Sequence, residues 1–170
     1  MRERLHSLEG KKMSISSKAL GDAGETYACH LLATHGFQAT KLHVNAKTYD
    51  VEARQGSRVF LISVKVAREK QHVRLGSRRS VTALDDGNFV FAFMPVGKEP
   101  IEDFQTSPHK LLILPASVAR EDSLCVHDSY WMAKARDPNI FSVMVKGYGS
   151  HHKSMWPRWL EYQDAWHLLH

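Results

Sequence analysis

A tight turn near residue 56 fixes how the segments on either side of it pair. Gly56-Ser57 suits a two-residue type II′ loop, in which glycine takes the first, positive-φ position. A hairpin with this turn pairs Gln55 with Arg58. Because the register then runs outward one residue at a time on each strand, it places Asp50 opposite Ser63.

The hairpin gathers polar side chains on one face. Side chains alternate with period two along a strand, and directly opposed residues share a face. The residues that project together from this face are Asp50, Glu52, Ser63 and Lys65. The strand that carries the last two is otherwise apolar over 59–62. Two carboxylates and an ammonium group beside such a strand indicate a functional site.

The order of these residues resembles the core of the PD-(D/E)XK nuclease-like superfamily. Its pattern is an acid that opens one strand, followed by (Asp/Glu)-x-Lys on the next strand. Asp50 matches the first acid, and Ser63-Val64-Lys65 occupies the second element. Upstream, a helix that begins near Gly21 resembles the helix before the hairpin, which carries a further metal-proximal glutamate in Holliday-junction-resolvase-like members. Glu25 matches that glutamate, and the resemblance covers roughly residues 18–95.

The resemblance implies an α/β fold with a mixed central sheet, an αβββαβ restriction-endonuclease-like core and C-terminal helical additions. It also implies a divalent ion, Mg²⁺ or Mn²⁺, because oxygen ligands hold Mg²⁺ and the ion can activate water for phosphodiester hydrolysis. Asp50 and Glu25 would bind the metal, and Glu52 and the carbonyl of Val64 are further candidate ligands. Lys65 would orient the attacking water or stabilise the transition state.

Ser63 departs from the family pattern, which usually has Glu, Asp or Gln at this position, and leaves three interpretations open. The chain could be a metal-dependent DNA endonuclease, a non-catalytic nuclease-fold DNA-binding or assembly subunit with a degenerate site, or an unrelated small α/β protein that acts through protein contacts. Each candidate also has a structural alternative. Lys65 and Asp50 could form a cross-strand ion pair, Glu25 could face solvent, and Glu52 could lie in a surface salt bridge.

A basic segment follows the candidate lysine. The chain has a net charge of +5, and between residues 65 and 79 Glu69 is the single acid. Besides Lys65, the basic residues of this segment are Arg68, Lys70, Arg74, Arg78 and Arg79. Basic side chains that continue away from a site are typical of phosphate contacts with nucleic acid. We therefore predict that these five residues bind DNA, the alternative being a solvated surface segment.

Length and composition predict one domain. At 170 residues we expect a single domain over residues 17–170, with its core at about 18–115, C-terminal additions over 116–170, and a poorly ordered leader at 1–16. No apolar stretch approaches the roughly 20 residues that span a bilayer, and the N-terminus lacks an apolar signal region. The two cysteines lie far apart, which is typical of a reducing cytoplasm. We expect a cytoplasmic protein without a membrane partner, and a homodimer is one arrangement that would present two sites to a duplex.

Periodicity and turn residues predict the remaining elements. We expect a helix from Lys18 to His35 that ends at Gly36, a buried central strand over 88–94 and a second buried strand over 111–114. The other expected elements are a strand at 37–44, a helix and loop within 68–86, a short helix from Pro115, a helix from Asp128 to Arg136, an edge strand at 141–145 and a final helix from about Trp156.

Overall fold

The structure is a computed structural model that describes residues 15–43, 48–68, 72–132, 139–145 and 156–170. The helices are α1 (Ser17–Thr34), α2 (Arg78–Thr82), α3 (Ala116–Val126) and α4 (Trp156–Leu160), with a π-helical turn at His127–Trp131 and a 3₁₀ turn at Trp166–Leu169. The strands are β1 (Gln38–Lys41), β2 (Val51–Gln55), β3 (Arg58–Val66), β4 (His72–Gly76), β5 (Phe89–Pro95), β6 (His109–Pro115) and β7 (Phe141–Met144).

Five strands form a mixed sheet in the order β1-β2-β3-β5-β6. The β3–β5 pair is parallel, whereas the other neighbours are antiparallel. Every residue of β5 is buried, because helices and loops cover both faces of this strand. The predicted mixed α/β architecture and the predicted central strand are both confirmed.

Helix α1 covers one face of the sheet. Its start is capped by Ser16, whose side chain accepts a hydrogen bond from the backbone N–H of Ala19 at 3.2 Å. It ends as predicted, before Gly36 in a left-handed conformation with φ of 83°. Gly24 lies on the buried side of the helix, where a Cβ would lie 2.4 Å from Cγ2 of Val66. The absence of a side chain at this position lets α1 lie close to β3.

The predicted hairpin forms with the predicted register. Gln55 pairs with Arg58 and Glu52 with Leu61. Gly56 has φ of 61° while Ser57 does not adopt a positive φ, which is the combination that a type II′ turn requires. The turn residues therefore decide the register of the strands that carry the candidate site.

The segment that follows β3 differs from the prediction. A strand, β4, occupies part of the 68–86 stretch where a helix and a loop were expected, and only the five residues of α2 are helical there. β4 pairs with β7 in a separate antiparallel two-stranded sheet, in which Val73 lies opposite Val143. Both of these valines are buried in a second hydrophobic core, on the face of the main sheet opposite α1. The strand at 141–145 is thus confirmed, and its partner is β4.

The helical segments after β6 also differ in part. The short helix after Pro115 is confirmed and extends to Val126 as α3. Asp128 lies within the π-helical turn that continues α3, so it does not cap a new helix. Residues 133–136 of that predicted helix lie outside the described residues.

The single C-terminal helix that we predicted is wrong. α4 ends at Leu160, and the chain then runs beside the outer edge of β6. There the N–H of Ile113 donates to the carbonyl of Tyr162 at 2.9 Å, and the N–H of Asp164 donates to Leu111 at 3.0 Å. The open edge of β6 offers backbone hydrogen bonds that a continuous helix could not satisfy.

Of the predicted leader, residues 1–14 lie outside the described residues, while Ile15 and Ser16 are described. No helix in the described parts of the chain combines the length and apolar character needed to cross a bilayer.

Candidate active site

Asp50 immediately precedes β2 and is held by the neighbouring strand β3. Its backbone N–H donates to the carbonyl of Ile62 at 2.9 Å, which extends the hairpin pairing by one residue. Its carboxylate oxygen Oδ2 accepts a hydrogen bond from the N–H of Val64 at 2.7 Å and from the hydroxyl of Ser63 at 3.4 Å. The other oxygen, Oδ1, has no hydrogen bond or ion pair to any described residue. Asp50 is therefore fixed in position with one oxygen available to a ligand.

The backbone of Val64 faces the same edge of β3. In an extended strand the N–H and C=O of one residue point toward the same side, and here the N–H points to the Asp50 carboxylate. β2 begins only at Val51, so the Val64 carbonyl is directed to the edge where Asp50 lies. Asp50 and Val64, two of the predicted metal ligands, are thus joined by a direct hydrogen bond.

Lys65 is half-buried and makes no hydrogen bond or ion pair with a described residue. It is therefore not the ion-pair partner of Asp50, and the simple cross-strand ion pair is absent. An ammonium group on a strand next to a buried core normally finds a counter-charge. Since no described residue supplies one, Lys65 is a candidate contact for an anionic ligand.

Glu25 is bound by a cation from β1. Lys41 Nζ lies 2.9 Å from Glu25 Oε2 and also donates to the backbone carbonyl of Asp22 at 3.3 Å. The hydrogen bond to Glu25 is the main cause of a raised pKa of Lys41, with smaller contributions from the charges of Glu25 and Asp22. Glu25 thus lies in an ion pair with Lys41, whereas the resemblance implied that it would bind a metal ion.

Glu52 is also paired. Arg54 Nε lies 2.6 Å from Glu52 Oε1, and because the two residues are two positions apart along β2 they share a face of the strand. Glu52 therefore lies in a salt bridge, which was the structural alternative to a role as metal ligand. No group of three His, Cys, Asp or Glu side chains arranged to hold a metal ion occurs among the described residues.

Basic side chains surround a pocket at the C-terminal end of β3. The pocket has a volume of about 250 Å³ and lies between the first turn of α1, the end of β3 and the strand β4. Its polar lining includes Lys65, Arg68, His72 and Arg74, together with Ser17 of α1. The sequence did not predict this pocket, since it depends on β4, whose partner β7 is distant in the chain.

The remaining residues of the predicted basic surface have separate positions. Arg79 lines a second pocket together with Thr48, two residues before Asp50. Arg78 lies over the ring of Phe141, with its guanidinium carbon 5.1 Å from the ring centre. Lys70 lies outside the described residues. Cationic side chains are thus found in the pocket at the end of β3 and, at Arg79, close to the segment that leads into Asp50.

Comparison with known proteins identifies the fold. No family model matches the chain, and no curated protein matches its sequence. Among solved structures, the chain is similar to the bacterial homing endonuclease I-Ssp6803I, with 18% identity, 91% of each chain covered and a TM-score of 0.54. It is also similar to Hjc, a Holliday junction resolvase from the archaeal hyperthermophile Archaeoglobus fulgidus, with 15% identity, 82% of this chain and 88% of that chain covered, and a TM-score of 0.47.

The chain has a restriction-endonuclease-like α/β fold, which it shares with the homing endonuclease. The fold that the sequence resemblance implied is thereby confirmed.

Proposed function

We propose that this protein is a metal-dependent nuclease that hydrolyses phosphodiester bonds in DNA, with Asp50 and Lys65 at the reacting centre. The observation that carries the proposal is the state of these two side chains. Asp50 is held by Val64 and Ser63 with one carboxylate oxygen free of described partners, and Lys65 has no counter-ion among the described residues. An oriented carboxylate just before β2, and on the neighbouring strand β3 an ammonium group without a described counter-ion, support phosphoryl-transfer chemistry.

The donor set meets the minimum that a hard divalent cation needs. Mg²⁺ in such sites is bound by one or two carboxylates, waters and the substrate phosphates. Asp50 Oδ1 supplies one carboxylate oxygen, and the carbonyl of Val64 faces the same edge. Glu25 would add a second carboxylate only on leaving Lys41. When bound, the ion supplies Lewis acidity and lowers the pKa of its water.

In this proposal the protein's own side chains stabilise the transition state, position Asp50 and contact the DNA phosphates. Lys65 donates a hydrogen bond to a non-bridging phosphate oxygen or to the attacking water, and its charge stabilises the negative charge of the transition state. Ser63 holds the Asp50 carboxylate through its hydroxyl and adds no charge. Arg74 and Arg79, both exposed and without a described partner, contact the phosphates of the bound strand.

A second function is favoured by the two ion pairs. Because Lys41 binds Glu25 and Arg54 binds Glu52, only one of the three candidate carboxylates is unpaired. A non-catalytic nuclease-fold protein that binds DNA through its basic side chains would have such a site. This alternative predicts binding without cleavage.

One titration separates the two functions. Mg²⁺ and Mn²⁺ are added in parallel to the wild type and to Asp50→Asn, with supercoiled plasmid and duplex oligonucleotides as substrates. A nuclease cleaves in the wild type and not in Asp50→Asn, which keeps its fold since asparagine still offers an oxygen to the Val64 N–H.

Lys65→Ala should lower the cleavage rate by roughly 10²-fold while metal binding remains. Full cleavage by Asp50→Asn would remove Asp50 from the reaction, and DNA binding without cleavage in either metal would favour the second function.

DNA binding is measured separately in EDTA. Replacing Arg74 and Arg79 together by Gln should flatten the log–log salt dependence of the affinity by up to ~2 units. Arg58→Gln is the matched control, as Arg58 is an exposed arginine at the opposite end of β3. An unchanged slope in the double variant would show that the two arginines are solvated surface.

A further inference from the structure

The pocket at the end of β3 brings several positively charged side chains of the described residues together. Lys65, Arg68 and Arg74 contribute three cationic groups, and no Asp or Glu among the described residues lines it. Arg68 donates to the carbonyl of Ile15 at 2.9 Å. Lys65 and Arg74 have no hydrogen bond or ion pair to a described residue. Cationic side chains that line one cavity without an acid among its described lining residues repel each other, so an anion that bound there would relieve the repulsion.

Backbone groups add to this positive potential. Ser17, the first residue of the 18-residue helix α1, also lines the pocket. The cap Ser16 bonds only to the N–H of Ala19 by its side chain, so the first N–H groups of α1 are directed outward beyond the helix start. A helix N-terminus carries a partial charge of roughly +0.5 and favours anions. The basic side chains and the N-terminus of α1 therefore both favour a negatively charged ligand.

The charge and the shape favour a strand end over the middle of a strand. An internal phosphodiester carries one negative charge, whereas a terminal phosphomonoester carries about −1.5 to −2 at pH 7. Arg68, Arg74 and the helix end match the larger charge, while Lys65 is the side chain proposed to act at the scissile phosphate. An internal phosphate would bring a nucleoside on either side, while a cavity of about 250 Å³ walled by three elements has little room for both.

We infer that this pocket binds the terminal phosphomonoester of a nucleic-acid strand. The inference rests on the proposed function, since it names the form of substrate that the same protein would receive. Val64 connects the two sites, because it lines the pocket and its N–H donates to Asp50. The phosphorylated end would thus be held beside the residue proposed to act on the chain.

Binding in EDTA tests the inference without any hydrolysis. The affinity of the full chain is measured for one labelled single-stranded oligonucleotide in three forms, with a 5′-phosphate, with a 3′-phosphate and with neither. We expect one phosphorylated form to bind about tenfold tighter than the unphosphorylated one, as charge-assisted hydrogen bonds to a phosphate require. The form that binds more tightly identifies the end. Inorganic phosphate should compete with that form in the millimolar range, since it has the same ionic group.

Arg74→Gln should reduce the preference to about threefold or less, because it removes one of the three cations. Arg58→Gln should leave both the affinities for the three forms and the preference unchanged, since Arg58 does not line the pocket. Equal affinity for the three forms in the wild type, or a preference that survives Arg74→Gln in full, would overturn the inference. Cleavage that depends on Asp50 without any end preference would overturn this inference and leave the proposed function intact. An end preference without cleavage would support this inference and contradict the proposed function.

Discussion

Lys41 on β1 and Glu25 on α1 form an ion pair, with Nζ 2.9 Å from Oε2, at the position where the sequence resemblance implied that Glu25 would contact a metal ion. The ammonium group supplies the positive charge that the carboxylate needs in the absence of a divalent cation. Since Lys41 directly precedes the residue whose N–H bonds to Asp50, this pair connects α1 to the strand segment of the candidate site. The charge of Glu25 is thus balanced by a side chain of the protein itself.

Lys41→Met should therefore increase metal affinity. The variant leaves Glu25 and Asp22 without their cation, so Mn²⁺ should bind about two- to fivefold more tightly, the range that corresponds to one exposed ion pair. Calorimetric titration of Mn²⁺ into the wild type and the variant measures the change. The double variant Lys41→Met with Glu25→Gln is the control and should lose the gain. Equal Mn²⁺ affinity in the wild type and in Lys41→Met would separate Glu25 from the metal site.

Ser63→Glu should make the stability of the protein depend on metal. Ser63 is only 1% exposed, so a carboxylate at this position would be buried next to Asp50 and would lower the melting temperature in EDTA. A divalent cation that binds both carboxylates should restore much of the loss. Thermal unfolding of Ser63→Glu and of the isosteric Ser63→Gln, each with EDTA and with Mn²⁺, tests this. Recovery limited to Ser63→Glu is expected, and equal responses of the two variants would exclude a metal at this position.

Gly24→Ala should destabilise the protein although alanine favours helices. The new Cβ would lie 2.4 Å from Cγ2 of Val66, so α1 must move away from β3, at a cost of about 1–3 kcal/mol. The helical preference of alanine offsets at most ~1 kcal/mol of this cost. Gly21→Ala on the same helix meets no atom within 4 Å and should be neutral or stabilising. Urea unfolding of both variants measures the difference, and equal midpoints would contradict the close packing of α1 on β3.

Tyr49 should make the folded protein less stable at alkaline pH. Burial is the main cause of the raised pKa of its hydroxyl, which accepts a hydrogen bond from the N–H of Asp85 at 2.7 Å. Because the pKa in the folded state lies above the unfolded value of about 10, the stability from Tyr49 is complete below pH 10 and is lost as pH rises through the folded pKa. Urea midpoints between pH 8 and 11 should fall more steeply for the wild type than for Tyr49→Phe. Parallel curves would contradict the raised pKa.

The local parts of the fold were predictable from neighbouring residues. The Gly56-Ser57 turn determines the hairpin register, and that register determines which residue of β3 lies beside Asp50. The extent of α1 follows from its apolar spacing and from Gly36, whose positive φ ends the helix. The apolar run 88–94 predicted a central strand because only a strand covered on both faces can bury every side chain.

Other parts depended on residues far apart in the chain. Residues 72–76 form a strand because they pair with residues 141–144. Their own sequence does not predict a strand, because a glycine and charged residues lie in and around this segment. At the C-terminus, the spacing of Trp159, Tyr162 and Trp166 fits a helix. The unpaired edge of β6 instead captures residues 162–164, and Trp159 becomes buried with its indole N–H 2.6 Å from Asp122.

The sequence by itself determined the position of Asp50 against β3, because a two-residue turn and a period-two strand leave only one register that buries the apolar face. The tertiary structure alone decided which charges meet. Glu25 pairs with Lys41 because α1 packs close to the sheet at Gly24. Lys65 lines a basic pocket because residues of β4 lie beside the C-terminal end of β3. Charge contacts depend on distances between separate elements, and those distances are set by the packing of the two cores rather than by spacing along the chain.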